Sequence, residues 1–273
     1  MNDMTSLASS ALLVALALCF TPAQAVEAPP AGAMPELVAC LSDDNLPFSA
    51  SSSAGGGIDA EVSRGIGAFL HRAVRISWVT VPARGGLGKA LRQSMKPGNC
   101  DLFLGIPVSG PSNEDVLEQQ LETSGPYIAS GYVLVAAKGS RVRTLEDARK
   151  AARVGVVTAT PADIFLHKKH FNRVPYGSNN DLLNALSSGA VDAGVLWLPA
   201  LANAEQKGFE LWPEAVRSDR LDSPGLETQF VIAMRRNEPD LKAGINAALA
   251  HMRSDGSLAS ILQRHRIGPA LAQ

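Results

Sequence analysis

The residues of this chain whose types and spacing could do chemistry are a pair of histidines, two acidic runs, a glycine cluster and two cysteines. His167 and His170, in "HKKH", stand three apart, a spacing that would put both imidazoles on one helical face to share a metal ion. Two lysines lie between them and no third ligand is near, so the pattern reads as a solvated helix face. The acidic runs "SDDN" and "NEDVLEQQLE" lack the alternating carboxylates and central glycine of a calcium loop, and read as surface. "GGGI" follows "SSSA" rather than a strand, which removes the geometry by which a glycine-rich loop cradles phosphate. Serines and histidines are present, but none falls in a nucleophile-elbow pattern. No enzyme, cofactor or metal site is expected from these residues.

The cysteines depend on compartment. "ALLVALALCFTPAQA" is an apolar run closed by Ala-Gln-Ala, the form of a secretory signal cleaved after Ala25, so 1–25 is expected to be a signal peptide and the mature protein periplasmic. The preceding "MNDMTSLASS" is unusual for such a segment, with Asp3 and no Lys or Arg. The apolar run is too short to anchor the chain across a bilayer, and Leu18 stands where a small residue should precede a lipidated Cys19. Removing the signal leaves Cys40 and Cys100, and an even pair in an exported protein reads as a disulfide. Two buried free thiols is the other reading. Cys40 lies well along its strand and Cys100 at the start of its own, a stagger that argues against direct opposition.

The elements that must position any site alternate along the whole length. With 273 residues and a net charge of −1, the chain can form one large domain or two ordinary ones, and no basic stripe suggests a nucleic-acid partner. "VEAPPAGAMPE" reads as a flexible lead-in. "ELVACL" reads as a strand, and Ile58, Val62, Ile66 and Leu70 then recur every four residues on one helical face. "VRISWVTV" is a strand, and Leu87, Leu91 and Met95 line up on a short helix. "CDLFLGIPV" is a continuous apolar run of the kind found in buried parallel strands. "GYVLVAA" is the next strand, and Thr144 caps a helix that has Asp147 at its third position. "RVGVVT" leads to a helix with Thr160 as N-cap and Pro161 at its first position. "NDLLNALSSG" is a helix stopped by glycine, "VDAGVLWLP" a buried strand and "TQFVIAMRR" another. "PDLKAGINAALAHMRSDGSLASIL" is two helices joined at Asp255-Gly256. The alternation means α/β with mainly parallel sheets.

This order of segments resembles the periplasmic solute-binding proteins of family 3. The opening strand with its "PF" loop, the Gly-Ile-Asp helix, "CDLFLG", "TSGPYIASGYVLVA", "VGVVTATPA" and "SSGAVDAGVLW" carry the resemblance. It implies a two-lobed type II periplasmic-binding fold, each lobe a mainly parallel sheet flanked by helices. Lobe 1 would be 26–128 with 232–273, and lobe 2 would be 129–231. Two crossover strands near Tyr127–Gly131 and Gln229–Ala233 would form the hinge, with a binding cleft between the lobes.

Amino-acid receptors of this family hold a zwitterion with an arginine and an acid. A bidentate guanidinium suits a carboxylate, and each buried ligand charge needs a counter-charge. Here the stretch that should carry the arginine reads "PSNEDV", and Trp197 and Leu198 stand where the acid belongs. The resemblance thus implies an apolar cleft around Phe48, Pro107, Val108 and Trp197. Asp44, Asn45, Trp78, Arg84, Thr158 and Thr160 are further candidates at its rim. Trp78 fits core and cleft wall equally, and Arg84 or Arg64 could offer a cation from the opposite rim.

Within the family, "CLSDDNLPFSA", "WVTVPARGGLGKAL" and "GNCDLFLGIPV" are similar to the J-type accessory proteins of methanol oxidation, the MxaJ/XoxJ group. That resemblance implies a non-enzymatic partner of a quinoprotein methanol dehydrogenase, calcium- or lanthanide-containing, including its partly folded or metal-free form. Cytochrome c is a further candidate partner. A receptor delivering a small, weakly polar solute to a transporter is the alternative.

Overall fold

The computed structural model describes residues 35–82, 86–108, 110, 112–202, 204 and 226–267. The expected signal segment and Arg84 lie outside them. The chain begins with strand β1 (Leu37–Ser42), a tiny hairpin of β2 (Asp44–Asn45) and β3 (Ser49–Ala50), helix α1 (Ile58–Phe69) and strand β4 (Val74–Val79). Helix α2 (Gly86–Ser94), strand β5 (Leu102–Val108), helix α3 (Glu114–Glu118) and strand β6 (Leu121–Thr123) lead to the long strand β7 (Ile128–Ala136). The middle of the chain adds α4 (Leu145–Ala151), β8 (Val154–Val157), α5 (Pro161–Lys168), β9 (Arg173–Tyr176), α6 (Asn179–Ser188), β10 (Ala193–Trp197) and α7 (Leu198–Ala202). Strand β11 (Glu227–Arg235) and helices α8 (Pro239–Ser254) and α9 (Ser257–Arg264) complete the described chain.

The strands lie in the order β4-β1-β5-β11-β7-β10-β8-β9, with β6 also paired to β11. At the two ends of this path, β1 pairs in parallel with β4 and β5, and β8 pairs in parallel with β9 and β10. Each end is the parallel sheet of one lobe. The joints are antiparallel: β11 runs against β5 with its middle residues, Gln229 to Ala233, and against β7 with its first residues, Glu227 to Phe230, while its end pairs with β6. β7 in turn runs against β10. β7 and β11 are therefore the two strands that cross between the lobes.

Each parallel end is buried on both faces, as sheets covered by helices must be. On one face of the first, Ile58, Val62 and Ile66 of α1 meet Leu37, Leu102 and Leu104, under Ile245 and Leu249 of α8 and Leu258 and Leu262 of α9. On its other face Leu91 and Met95 cover Cys40, Cys100 and Phe103. The second sheet is sandwiched likewise, with Leu182 and Leu186 of α6 on one side and Ala162 and Leu166 of α5 on the other. The helix starts follow the capping residues: Thr144 and Asp147 form a reciprocal capping box, and Thr160 caps α5 ahead of Pro161.

Cys40 and Cys100 are bonded, with Cα atoms 5.8 Å apart. The stagger expected to separate them is real, since Cys40 opposes Phe103 in register. The chain ahead of β5 bends back to β1. The Asp101 amide donates to the Val38 carbonyl at 2.9 Å, and the Val38 amide donates to Asp101 Oδ2 at 2.9 Å. Arg235 Nη1 holds the Cys100 carbonyl at 2.7 Å, and Nη2 holds Asp101 Oδ1 at 2.9 Å.

Candidate functional site

The opening "DNLPFSA" is a tight hairpin pinned to the start of α1. Asp44 and Asn45 pair with Ala50 and Ser49, the Leu46–Pro47 peptide is cis, and the Ile58 and Asp59 amides donate to the carbonyls of Pro47 and Phe48 at 3.1 and 2.8 Å. Gly57 lets the two segments approach: its φ is 90°, and a Cβ there would sit 2.5 Å from the Phe48 carbonyl oxygen. Asp44 and Asn45 are exposed on this hairpin. Phe48 is not an exposed wall. It is 3% exposed and stacks on Phe230 of β11 with ring centroids 4.3 Å apart. An aromatic ring in a loop that otherwise looks polar is buried because the hairpin folds it over the hinge strand.

Pro107 opposes Phe230 in register and Val108 opposes Gln229, so both lie at the hinge end of lobe 1, Pro107 exposed and Val108 buried. Trp78 is 38% exposed, and its ring lies 3.3 Å from where a Cβ on Gly56 would stand, against the loop after β3. It is neither core nor grouped with the other aromatic candidates.

On the other lobe, Trp197 ends β10 directly across from Tyr132 of β7, ring centroids 5.3 Å apart at 58°. Trp197 and Leu198 are half-buried and pack against the same core that holds Phe48, Tyr127, Ile128 and Phe230. They are lobe 2 side chains that complete a lobe 1 core. Burial pushes the Tyr132 phenol above its ordinary pKa, and the neighbouring Thr160 side chain moderates the rise. The structure thus brings Trp197, Tyr132 and Thr160 together, and the sequence reading missed Tyr132 and Phe230. Each hides in an apolar strand, and only strand register shows what it faces.

The start of α5 is capped from within the chain. Pro161 has no N–H, and the Thr160 hydroxyl accepts from the Asp163 amide at 3.2 Å while donating to the Val157 carbonyl at 2.7 Å. Asp163 itself supplies the anion that a helix N-terminus favours. Its Oδ2 accepts from the Ala159 amide at 3.1 Å, and its Oδ1 is held by Arg173 Nη1 at 2.6 Å. Thr158 is exposed beside it, its amide donating to the Tyr176 carbonyl at 2.9 Å.

In the stretch expected to carry an arginine, Asn113 caps α3 by accepting from the Val116 amide at 3.2 Å and donates its own amide to the Pro107 carbonyl at 2.8 Å. Glu114 and Asp115 follow in the first turn. Pro111 lies outside the described residues. Arg64 donates to the Gly55 carbonyl at 3.1 Å. His167 and His170 are exposed at the end of α5. Among the described residues no cluster of His, Cys, Asp and Glu is arranged to hold a metal ion, and no helix is long and apolar enough to cross a membrane.

Known proteins of this architecture share the two-lobed layout. The L-cystine solute receptor of Neisseria gonorrhoeae, in its unliganded open conformation, superposes with a TM-score of 0.68 at 17% identity, covering 88% of this chain and 96% of that one. A substrate-binding domain of an amino-acid ABC transporter from Streptococcus pneumoniae gives 0.66 at 20% identity, covering 84% and 99%. In sequence, the lysine/arginine/ornithine-binding periplasmic protein of Escherichia coli is 24% identical over 243 residues, 85% of this chain and 88% of that relative. The histidine-binding periplasmic protein of Escherichia coli is 23% identical over 185 residues, 64% of this chain and 68% of that relative. The fold is the type II periplasmic-binding fold. The family model of the bacterial extracellular solute-binding proteins, family 3, matches residues 37–268, and the chain belongs to that family.

Proposed function

We propose that this protein is a non-enzymatic periplasmic accessory of methanol oxidation, in which the solute cleft has lost its hold on amino acids and serves a quinoprotein methanol dehydrogenase. The lobes divide at 128/129 and 231/232, and the cleft between them accepts an exposed apolar segment of a partly folded or metal-free dehydrogenase. Cytochrome c of the same system is a further partner. The likeness of "CLSDDNLPFSA" and "GNCDLFLGIPV" to the J-type accessory group supports this reading.

The observation that carries it is the pairing of Trp197 with Tyr132 beside a self-neutralised α5. A free amino acid needs a cation for its carboxylate and an anion for its ammonium. At the α5 start Asp163 already occupies the Ala159 amide and one nitrogen of Arg173, and Trp197 replaces an acid with an indole. Each missing charge-assisted contact is worth about 1.5–3 kcal/mol, so losing both weakens zwitterion binding by roughly two to four orders of magnitude.

The relatives favour a second reading, a transporter-linked receptor. One is named for lysine, arginine and ornithine and another for histidine, which supports a small solute here, of weakly polar type given the same aromatic pair. Two measurements separate the readings. A thermal-shift screen with the twenty amino acids at millimolar concentration should give no dose-dependent rise, since saturating ligand stabilises by mass action. Affinity capture from periplasm should recover a quinoprotein dehydrogenase. Recovery of a permease without a dehydrogenase, or a clear shift with one amino acid, overturns the accessory role.

A further inference from the structure

Asp59, in the first turn of α1, is fully buried. Its Oδ1 accepts from the Tyr127 hydroxyl at 2.5 Å, and that hydroxyl accepts from the Gly105 amide at 2.9 Å. Its Oδ2 has no hydrogen-bond partner among the described residues. Gly105, at φ 77°, makes room for it: a Cβ there would stand 2.8 Å from Oδ2. The Asp59 amide is tied to Phe48, whose ring lies on Phe230 of β11. Tyr127 immediately precedes β7, and Gly105 lies in β5 beside the Ile106–Val231 pair. One carboxyl therefore connects the rim hairpin, β5 and the roots of both hinge strands.

We propose that Asp59 is a proton-operated brace: protonated, it locks the start of β7 to α1 and β5, and ionised, it lets that root open more readily. The proposal concerns the hinge and stands whichever partner or solute the cleft serves.

Burial is the dominant influence on the carboxyl and raises its pKa from 3.8 to about 7, with the Tyr127 hydrogen bond working in the opposite sense. Burial also pushes the Tyr127 phenol well above its ordinary range. The groups packed around Asp59 offer little else to compensate a charge. The hairpin side presents the Pro47 and Phe48 carbonyls and the buried Ser49 hydroxyl. β5 presents Gly105, and Asp101 just ahead of β5 is engaged by Arg235 and Val38. β11 presents Phe230 and Ile232. On α1 Glu61 turns to Arg264 and His265 of α9, and Arg64 to Gly55. α8 meets this core through Ile245, Ala248, Leu249 and Met252, and its Arg253 is spent on the Pro126 carbonyl.

The sign follows from linkage. When the β7 root opens, Asp59 reaches water and its pKa returns toward 3.8. Between about 4 and 7 the closed state holds a proton that the open state releases, so the opening constant rises tenfold per pH unit. Below and above that window both states bind alike and the constant levels off. The whole change approaches a thousandfold.

Native-state hydrogen exchange on the full mature chain between pH 3.5 and 8.5, corrected for intrinsic rates, tests this. The amides of Ile128–Gly131 and Gly105 should follow that sloped-then-flat profile, while those of Val154–Val157 in β8 stay level. Asp59→Asn should abolish the slope, and Tyr127→Phe should extend it to higher pH by removing the bond that favours the ionised form. Level wild-type protection at the β7 root overturns the brace. The same slope in Asp59→Asn, or an equal slope in β8, does so as well. Should Asp59→Asn fail to fold, carboxyl-carbon NMR titration of the wild type decides: a midpoint near 7 supports the brace, and one near 4 overturns it.

Discussion

Replacing Gly105 with alanine should destabilise the protein by about 2–4 kcal/mol, and the two parts of that cost come from different physics. Gly105 has φ 77°, a left-handed conformation that costs an L-residue roughly 1–2 kcal/mol. The new methyl would also stand 2.8 Å from Asp59 Oδ2. That carboxyl is fully buried and held through Oδ1 by Tyr127, so it yields only by sacrificing the hydrogen bond, a further 1–2 kcal/mol or so. For a chain of this size each kcal/mol lowers Tm by about 2–4 °C, so calorimetry at pH 6 should show a drop of roughly 5–15 °C. A double-mutant cycle separates the parts. In a Tyr127→Phe background the carboxyl is free to turn, and Gly105→Ala should cost only the conformational share. A loss under about 0.5 kcal/mol in the single variant refutes the packing, and an unchanged loss in the Tyr127→Phe background refutes the assignment to the Asp59–Tyr127 bond.

The disulfide closes a loop with a sequence separation of 60, and on the chain-entropy relation Cys40→Ala/Cys100→Ala should lose about 4 kcal/mol in urea unfolding. Thiol labelling of the denatured, unreduced protein should find neither cysteine free, and a loss under about 1 kcal/mol would contradict this account of the bond's contribution. Burial works to raise the Glu61 carboxyl, but hydrogen bonds and charge from Arg264 and His265 outweigh it and hold its pKa below the ordinary 4.5. That contribution is complete above pH 4.5 and fades as pH falls through the lowered value, so exchange at α9 should quicken in acid, and Glu61→Gln should quicken it at neutral pH while removing the acid dependence.

Much of the fold was legible because periodicity and capping report directly on burial. Ile58, Val62 and Ile66 recur on one face and are all core residues, and Thr144 and Thr160 cap the helices their spacing announced. The short strands were not legible. β2 and β3 have two residues each, and "RVPY" carries a proline that demotes it as a strand, yet β9 pairs in parallel at the edge of the sheet. The disulfide follows from export and an even cysteine count, as expected, but how staggered strands bring its cysteines together was not legible; the bend fixed by Asp101, Val38 and Arg235 is a tertiary feature with no local signature. Phe48 read as a ligand-facing loop residue, but the stack on Phe230 depends on a strand about 180 positions away in the chain of 273 residues. Asp59 carries no sign of its burial in the sequence, since an acid in the first turn of a helix ordinarily complements the helix dipole in water.

The aromatic contacts at the hinge bear on how freely such a cleft can work. Trp197 ends β10 and Leu198 follows it, yet both pack on the core that holds Phe48, whose ring stacks on Phe230 of β11. Separating the lobes would expose these apolar faces, at roughly 25 cal/mol for each Å² bared to water. A bound apolar group that replaced the indole against that core would recover the lost burial. The same packing that resists opening therefore selects what can hold the cleft open. On the accessory reading proposed above, an exposed apolar segment of a client would meet that requirement, whereas a buried zwitterion would need a counter-charge for each of its own.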